Sequence, residues 1–187
     1  MAWLAVKKAN TEAIIKALHL SNVQMIDWTE GVAKIYEKNG NPETIFITPQ
    51  INRWSFVVGW YFFDLNSHDG KPERLKDYIA ELSSSFGEVQ AFATHRVSEY
   101  HHWVLAKNGK IERCFAYSGT SGEVLNNEGE LTDVEKQFPW DKLKTFKWFP
   151  DEEDVMTLAG KWSVNPQTIE NADVNGKTCY LANIPSL

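Results

Sequence analysis

His101-His102-Trp103-Val104-Leu105-Ala106-Lys107-Asn108-Gly109-Lys110-Ile111-Glu112-Arg113-Cys114-Phe115-Ala116-Tyr117 reads as two strands joined by a tight turn. Asn-Gly is a strong hairpin signal because both residues accept the positive φ that a type I′ turn requires. A two-residue turn at Asn108-Gly109 pairs Lys107 with Lys110. Continued without interruption, that register places Trp103 opposite Cys114, with His101 diagonal to Cys114 on the same sheet face.

Working outward, the same order of signals occurs twice. Trp3-Leu4-Ala5-Val6 and Trp54-Ser55-Phe56-Val57-Val58 each read as a strand leading into a helix. The first helix carries Ile14, Ile15 and Leu18 behind an Asn10-Thr11 cap. The second carries the stripe Leu75, Tyr78, Ile79, Leu82 and Phe86, with Pro72 near its start and Gly87 just past its end. Val-Gln then opens a strand at Val23-Gln24 and at Val89-Gln90, and Lys-Asn-Gly follows at Lys38-Asn39-Gly40 and Lys107-Asn108-Gly109. The sequence therefore predicts an α+β fold: a mixed, mainly antiparallel sheet built from two tandem β-α-β-β-β units. The units cover residues 2–50 and 52–118 of a single domain, and a short helical C-terminal segment, 119–187, wraps the outside.

That last segment has its own signals. Val124-Leu125 is a candidate short strand, and Thr132-Asp133-Val134-Glu135 matches a capping box. A helix is expected after Pro150, with acids at Asp151 to Asp154 complementing the positive end of its dipole and an apolar stripe at Val155, Leu158, Ala159 and Trp162. Asn165-Pro166 would start another helix, giving the rhythm of a helix-turn-helix. DNA binding needs cations against phosphate, however, and the flank is acidic, so two packed structural helices are expected.

Composition bounds the function. The 187 residues are 43% hydrophobic and 13% aromatic, with eight tryptophans, enough to build a core. The net charge of −6 lies almost wholly in residues 123–154, where ten acids face four lysines. An acidic surface repels nucleic acid and anionic membranes and favours basic partners. The start of the chain does not read as a secretory signal. The longest aromatic-aliphatic run, Trp54 to Phe63, is about half a helical membrane span. Cys114 and Cys179 are expected as reduced thiols, and a cytoplasmic location is expected.

The candidate sites are few. Cys114 with His101 could form a thiolate–imidazole pair, although no third group or oxyanion device accompanies it. His95, His101, His102 and Glu99 could suggest a metal site, but adjacent strand residues face opposite ways, so no metal and no cofactor are expected. Gly119-Thr120-Ser121-Gly122 lacks the lysine of a phosphate loop. Trp54, Tyr100, Arg113 and Trp148 are the expected protein-partner contacts, provided they are exposed, because interfaces favour such side chains.

The run from Trp103 to Tyr117 resembles a group of uncharacterised bacterial proteins. Gly122-Glu123-Val124-Leu125 through Gly129, Thr132 to Glu135, Asp151 to Val155 and Trp162-Ser163-Val164-Asn165-Pro166 extend the likeness over the C-terminal half. The resemblance implies a bacterial origin and brings no active site with it. The expectation is a non-enzymatic binding protein, such as a toxin-neutralising immunity protein or a regulatory partner. The alternative is a small-molecule-binding or hydrolytic enzyme using Cys114 and His101 in a cleft between the halves.

Overall fold

Alternation of large and small side chains along the central strands shapes the molecule. The computed structural model describes residues 1–37, 40–63, 65, 74–143, 145, 147–170, 174 and 176–185. Among the described residues, nine strands form one open sheet: β1 (Ala2–Lys7), β2 (Ser21–Ile26), β3 (Thr44–Ile47), β4 (Trp54–Val58), β5 (Glu88–His95), β6 (Tyr100–Lys107), β7 (Lys110–Ser118), β8 (Glu123–Glu128) and β9 (Cys179–Asn183). Their order is β2-β9-β3-β4-β1-β5-β6-β7-β8. Every pairing is antiparallel, so the expected mixed sheet is corrected to an all-antiparallel one.

Among the described residues, five α-helices of four residues or more cover the sheet: α1 (Thr11–Ala17), α2 (Trp28–Ile35), α3 (Arg74–Phe86), α4 (Trp140–Leu143) and α5 (Glu152–Trp162). On one face Leu4, Val6, Val57, Ala91, Ala93, Val104, Ala106 and Cys114 pack beneath Ile14 of α1, its C-cap Leu18, and Leu75, Ile79 and Leu82 of α3. On the other, Trp3, Phe56, Phe92, Trp103, Phe115 and Tyr117 pack beneath Val155, Met156, Leu158 and Ala159 of α5, with Trp140 and Leu143 of α4 against them. Aliphatic residues thus line one face and aromatics the other, a direct consequence of the two-residue period of strands. Rings stack across neighbouring strands, Trp3 on Phe92 at 5.0 Å and Trp103 on Phe115 at 4.5 Å between centroids.

The two expected units do not share one topology. Where the first hairpin's leading strand was expected, the chain forms α2. Asp27 accepts a hydrogen bond from the Glu30 backbone N–H at 2.9 Å, and Trp28, Val32 and Ile35 recur at helical spacing toward Phe46. Lys38 and Asn39 of the expected turn lie outside the described residues, as does Pro72. Strand order differs too: β5, β6 and β7 are consecutive neighbours, whereas β2 and β3 are separated by β9, and β4 stands between β3 and β1. The C-terminal segment is more than a wrap. It supplies β8 at one edge and threads β9 between β2 and β3. Beyond α5, Asn165 caps only a three-residue 3-10 turn, Pro166–Thr168, in place of a second α-helix.

The β6–β7 hairpin begins as expected. Asn108 (φ 48°) and Gly109 (φ 85°) form the turn, and Lys107 pairs with Lys110. The register then shifts: Ala106 pairs with Ile111, but Leu105 pairs with Arg113, leaving Glu112 as an extra residue in a β-bulge. One extra residue inverts every later side chain of the strand.

Candidate functional site

The bulge at Glu112 decides the fate of the expected cysteine–histidine pair. Trp103 lies opposite Phe115, and Cys114 opposite Val104. Cys114 is therefore on the aliphatic face, while His101, two residues before Trp103, is on the aromatic one. The sheet separates them. Burial pushes the Cys114 thiol up to about 12, so at neutral pH it is a protonated core residue. Cys179 is a second free, buried thiol, packed with Ile35 and Phe46.

His101 faces a different set of groups. Its Nδ1 is 3.0 Å from the Thr94 hydroxyl across the β5–β6 pair. Its Nε2 is 3.5 Å from Glu99 Oε2, too long for a well-formed hydrogen bond, and has no hydrogen-bond partner among the described residues. Burial holds this ring's pKa below the ordinary histidine value, opposed by the charges of Glu99, Asp151 and Glu152. The imidazole is neutral at pH 7, with a buried ring nitrogen near a carboxylate.

The ring forms part of a groove of about 610 Å³ whose wall also includes Arg96, Glu99, Asp151, Glu152, Glu153, Met156, Thr157, Asn165 and Gln167. Three pieces of chain make it, the last being the stretch after α5 that carries Asn165 and Gln167. The turn after β5 brings Arg96 and Glu99, and the start of α5 brings the three acids. Asp151 and Asp154 cap each other's backbone N–H groups, at 3.0 and 3.2 Å. Glu152 turns toward the β5–β6 turn and is held by Arg96 in a two-pronged contact of 2.9 and 2.5 Å. Hydrogen bonding to Arg96 lowers the Glu152 carboxyl below its ordinary value, so Glu152 is ionised at pH 7. Four carboxylates thus converge with one arginine and a neutral histidine.

A second recess of about 220 Å³ adjoins the groove. Trp3, Trp28, Val32, Tyr36, Phe46, Phe56, Val58 and Ile169 line it almost entirely with apolar surface, and Gln167 belongs to both walls. The Gln167 amide donates to Glu152 Oε1 at 3.2 Å, so the acidic end of the groove begins at the cavity mouth. Tyr36 senses the same carboxylate: its phenol is raised by burial first and by the Glu152 charge second. Phe46 keeps its position because α2 has a glycine opposite; a methyl group on Gly31 would lie 2.2 Å from that ring.

The expected partner contacts mostly fill the interior. Trp54 is 6% exposed, Tyr100 8% and Arg113 0%, so the exposure they required is missing. Trp148 is half-buried beside Phe138 and Trp140. Arg113 points into the aromatic face because of the bulge and pairs with Glu135 at 2.7 Å, both fully buried. Glu135 also accepts from Trp103 Nε1 at 2.8 Å and from Thr132 N–H and hydroxyl at 3.0 and 2.8 Å. Its role exceeds the capping box read from sequence: it ties the 3-10 turn Glu135–Gln137 to the sheet.

Adjacent His101 and His102 face opposite sides, and His95 bonds to Ser98 at 2.8 Å. Among the described residues, no three His, Cys, Asp or Glu side chains are grouped to hold a metal ion, and no helix is long and apolar enough to cross a membrane. Sequence reading missed the groove and the cavity. The sequence marks Asp151 to Asp154 as helix-start residues, and nothing local places the β5–β6 turn beside them. A compact signal did exist for α2 in Asp27 and Glu30, a cap residue with an acid three positions on.

No protein-family model, curated protein or solved structure matches this chain.

Proposed function

We propose that this is a non-enzymatic binding protein that receives cationic side chains of a basic protein partner in the acidic groove. A toxin-neutralising immunity protein or a regulatory partner would work in this way. The observation that carries the reading is the convergence of Glu99, Asp151, Glu152 and Glu153 on one concave surface, where Arg96 is the one lysine or arginine among the described lining residues. Such a concentration of one sign of charge in a concave wall focuses the field and steers oppositely charged partners. A hydrolytic role through Cys114 loses its support, because the thiol and His101 lie on opposite faces of the sheet.

The test is calorimetric titration with a lysine- and arginine-rich peptide at about 20 mM and about 300 mM salt, a range over which exposed charges are progressively screened. One-to-one binding that weakens with salt, and weakens further in the Glu99→Gln, Glu153→Gln double variant, supports the reading. Failure to bind at low salt, or unchanged affinity in the double variant, removes it.

A further inference from the structure

We propose that the aromatic cavity and the Glu152 end of the groove form one binding site for a small arylalkylammonium group, with the ring in the cavity and the ammonium at the carboxylate. The inference rests on the cation-binding character proposed for the groove and extends it inward.

The cavity fixes the apolar half of the ligand. Its volume of about 220 Å³ exceeds the roughly 150 Å³ of an engineered cavity that holds benzene, so a bicyclic ring fits. Trp3, Trp28, Phe46 and Phe56 offer aromatic surface, which favours a flat ring through stacked and edge-on contacts. The polar groups of the wall are few. The Thr48 hydroxyl is already occupied, donating to Pro49 O and accepting from Phe56 N–H, both at 2.9 Å. Trp3 Nε1 is buried without a hydrogen-bond partner among the described residues, and the Met1 amino group beside the wall is already engaged, donating to Thr94 O at 2.7 Å.

The mouth fixes the polar half. Gln167 belongs to both recesses and touches Glu152, and Tyr36, also in the cavity wall, senses the same charge. Glu152 already holds a cation, the Arg96 guanidinium, and also interacts with the Met1 amino group. Arg96 is largely exposed, with 77% of its side chain open to solvent, so it can swing away when another cation takes its place. A ligand with an aromatic ring and an ammonium on a short tether satisfies both halves. A neutral aromatic leaves the carboxylate unused, and an alkylammonium leaves the cavity dry and unfilled.

The probe is tryptamine, titrated into the full chain by calorimetry beside its neutral counterpart 3-ethylindole and beside butylammonium. Tryptamine should bind one-to-one with Kd of about 0.1 mM or tighter, within the efficiency open to so small a ligand. The other two should bind about tenfold more weakly or worse. Val32→Trp and Ile169→Trp fill the cavity from two different elements, and either, if folded by near-ultraviolet circular dichroism, should abolish binding. Glu152→Gln should weaken it about tenfold, and Arg96→Ala should strengthen it several-fold by releasing the carboxylate. No tryptamine binding at about 5 mM, equal binding of 3-ethylindole, or binding that survives both cavity variants overturns the proposal. The basic peptide separates the two readings. Peptide binding without tryptamine binding sinks this inference and leaves the groove reading standing; tryptamine binding without peptide binding does the reverse.

Discussion

His102 shows how one buried residue sets a pH response for the whole fold. It is fully buried on the aliphatic face, with Nδ1 3.4 Å from the Tyr100 hydroxyl. Burial, reinforced by neighbouring His101, pushes its pKa down to about 3. The unfolded chain binds a proton here below about pH 6.5 and the folded chain does not until near 3, so stability falls as pH drops through that window. The slope from this group is about 1.4 kcal/mol per pH unit. Urea midpoints measured at several values between pH 7 and pH 4 should show it, and His102→Leu should flatten it; an unchanged slope in the variant would place the acid sensitivity elsewhere. Cys114 gives the opposite kind of residue-scale prediction. With its thiol held near 12 and no exposure, native Cys114 should resist iodoacetamide at pH 7.5 over hours and react at once in urea. Rapid native labelling, located by peptide mass, would contradict the placement.

At the scale of elements, the parts written in local periodicity were legible and the parts set by non-local packing were not. The Asn108-Gly109 turn, the stripe of α3 and the acidic start of α5 are all carried by neighbours in sequence, and each forms where expected. The bulge at Glu112 is different. Gly129, at the end of β8, approaches so closely that a Cβ there would lie 2.0 Å from the Glu112 carbonyl oxygen, and no hairpin rule applied to residues 101–117 contains that contact. One unforeseen residue moved Cys114 away from His101 and turned Arg113 inward. The start of β7 after the bulge therefore could not be read from the hairpin alone. Likewise the acidic groove joins Glu99 to residues more than fifty positions later, which no spacing rule connects. Helix α2 was readable in principle from its cap and stripe, but the repeated Lys-Asn-Gly favoured a hairpin. Its fit to the sheet gives a direct test. Gly31→Ala should gain helix propensity, about 1 kcal/mol, yet must displace the Phe46 ring. We expect net destabilisation of about 1–3 kcal/mol, the usual range for overpacking, together with loss of tryptamine binding if the ring moves into the cavity. A more stable variant would show that α2 can shift outward freely.

Across the whole molecule, two differently made faces are sealed by different parts of the chain. The aliphatic face is closed by α1 and α3, from the first half of the sequence, and most of the aromatic face by α4 and α5, from the second. Closure of the aromatic face depends on a polar tether within an apolar layer. Arg113 reaches Glu135, Asn127 Oδ1 at 2.8 Å, and the backbone carbonyls of Cys114 and Glu128 at 3.0 and 2.8 Å. It thereby holds β7, β8 and the 3-10 turn together. Burying two charges gives little net stabilisation when both are present, but removing one strands the other without solvent. Glu135→Gln should therefore cost about 3–5 kcal/mol in urea denaturation, the range for breaking a buried pair. The amide keeps one oxygen, either for Trp103 and Arg113 or for Thr132, so the loss combines the uncompensated Arg113 charge with the donors left facing the amide NH2. Arg113→Met in the same background should recover part of that loss, since the stranded charge goes with it. Recovery will be incomplete, because Asn127 and two backbone carbonyls lose their donor. A double-mutant cycle measures the difference. Strong coupling between positions 113 and 135 is expected; additive effects of the two substitutions would mean that the pair does not hold the C-terminal half of the chain against the sheet.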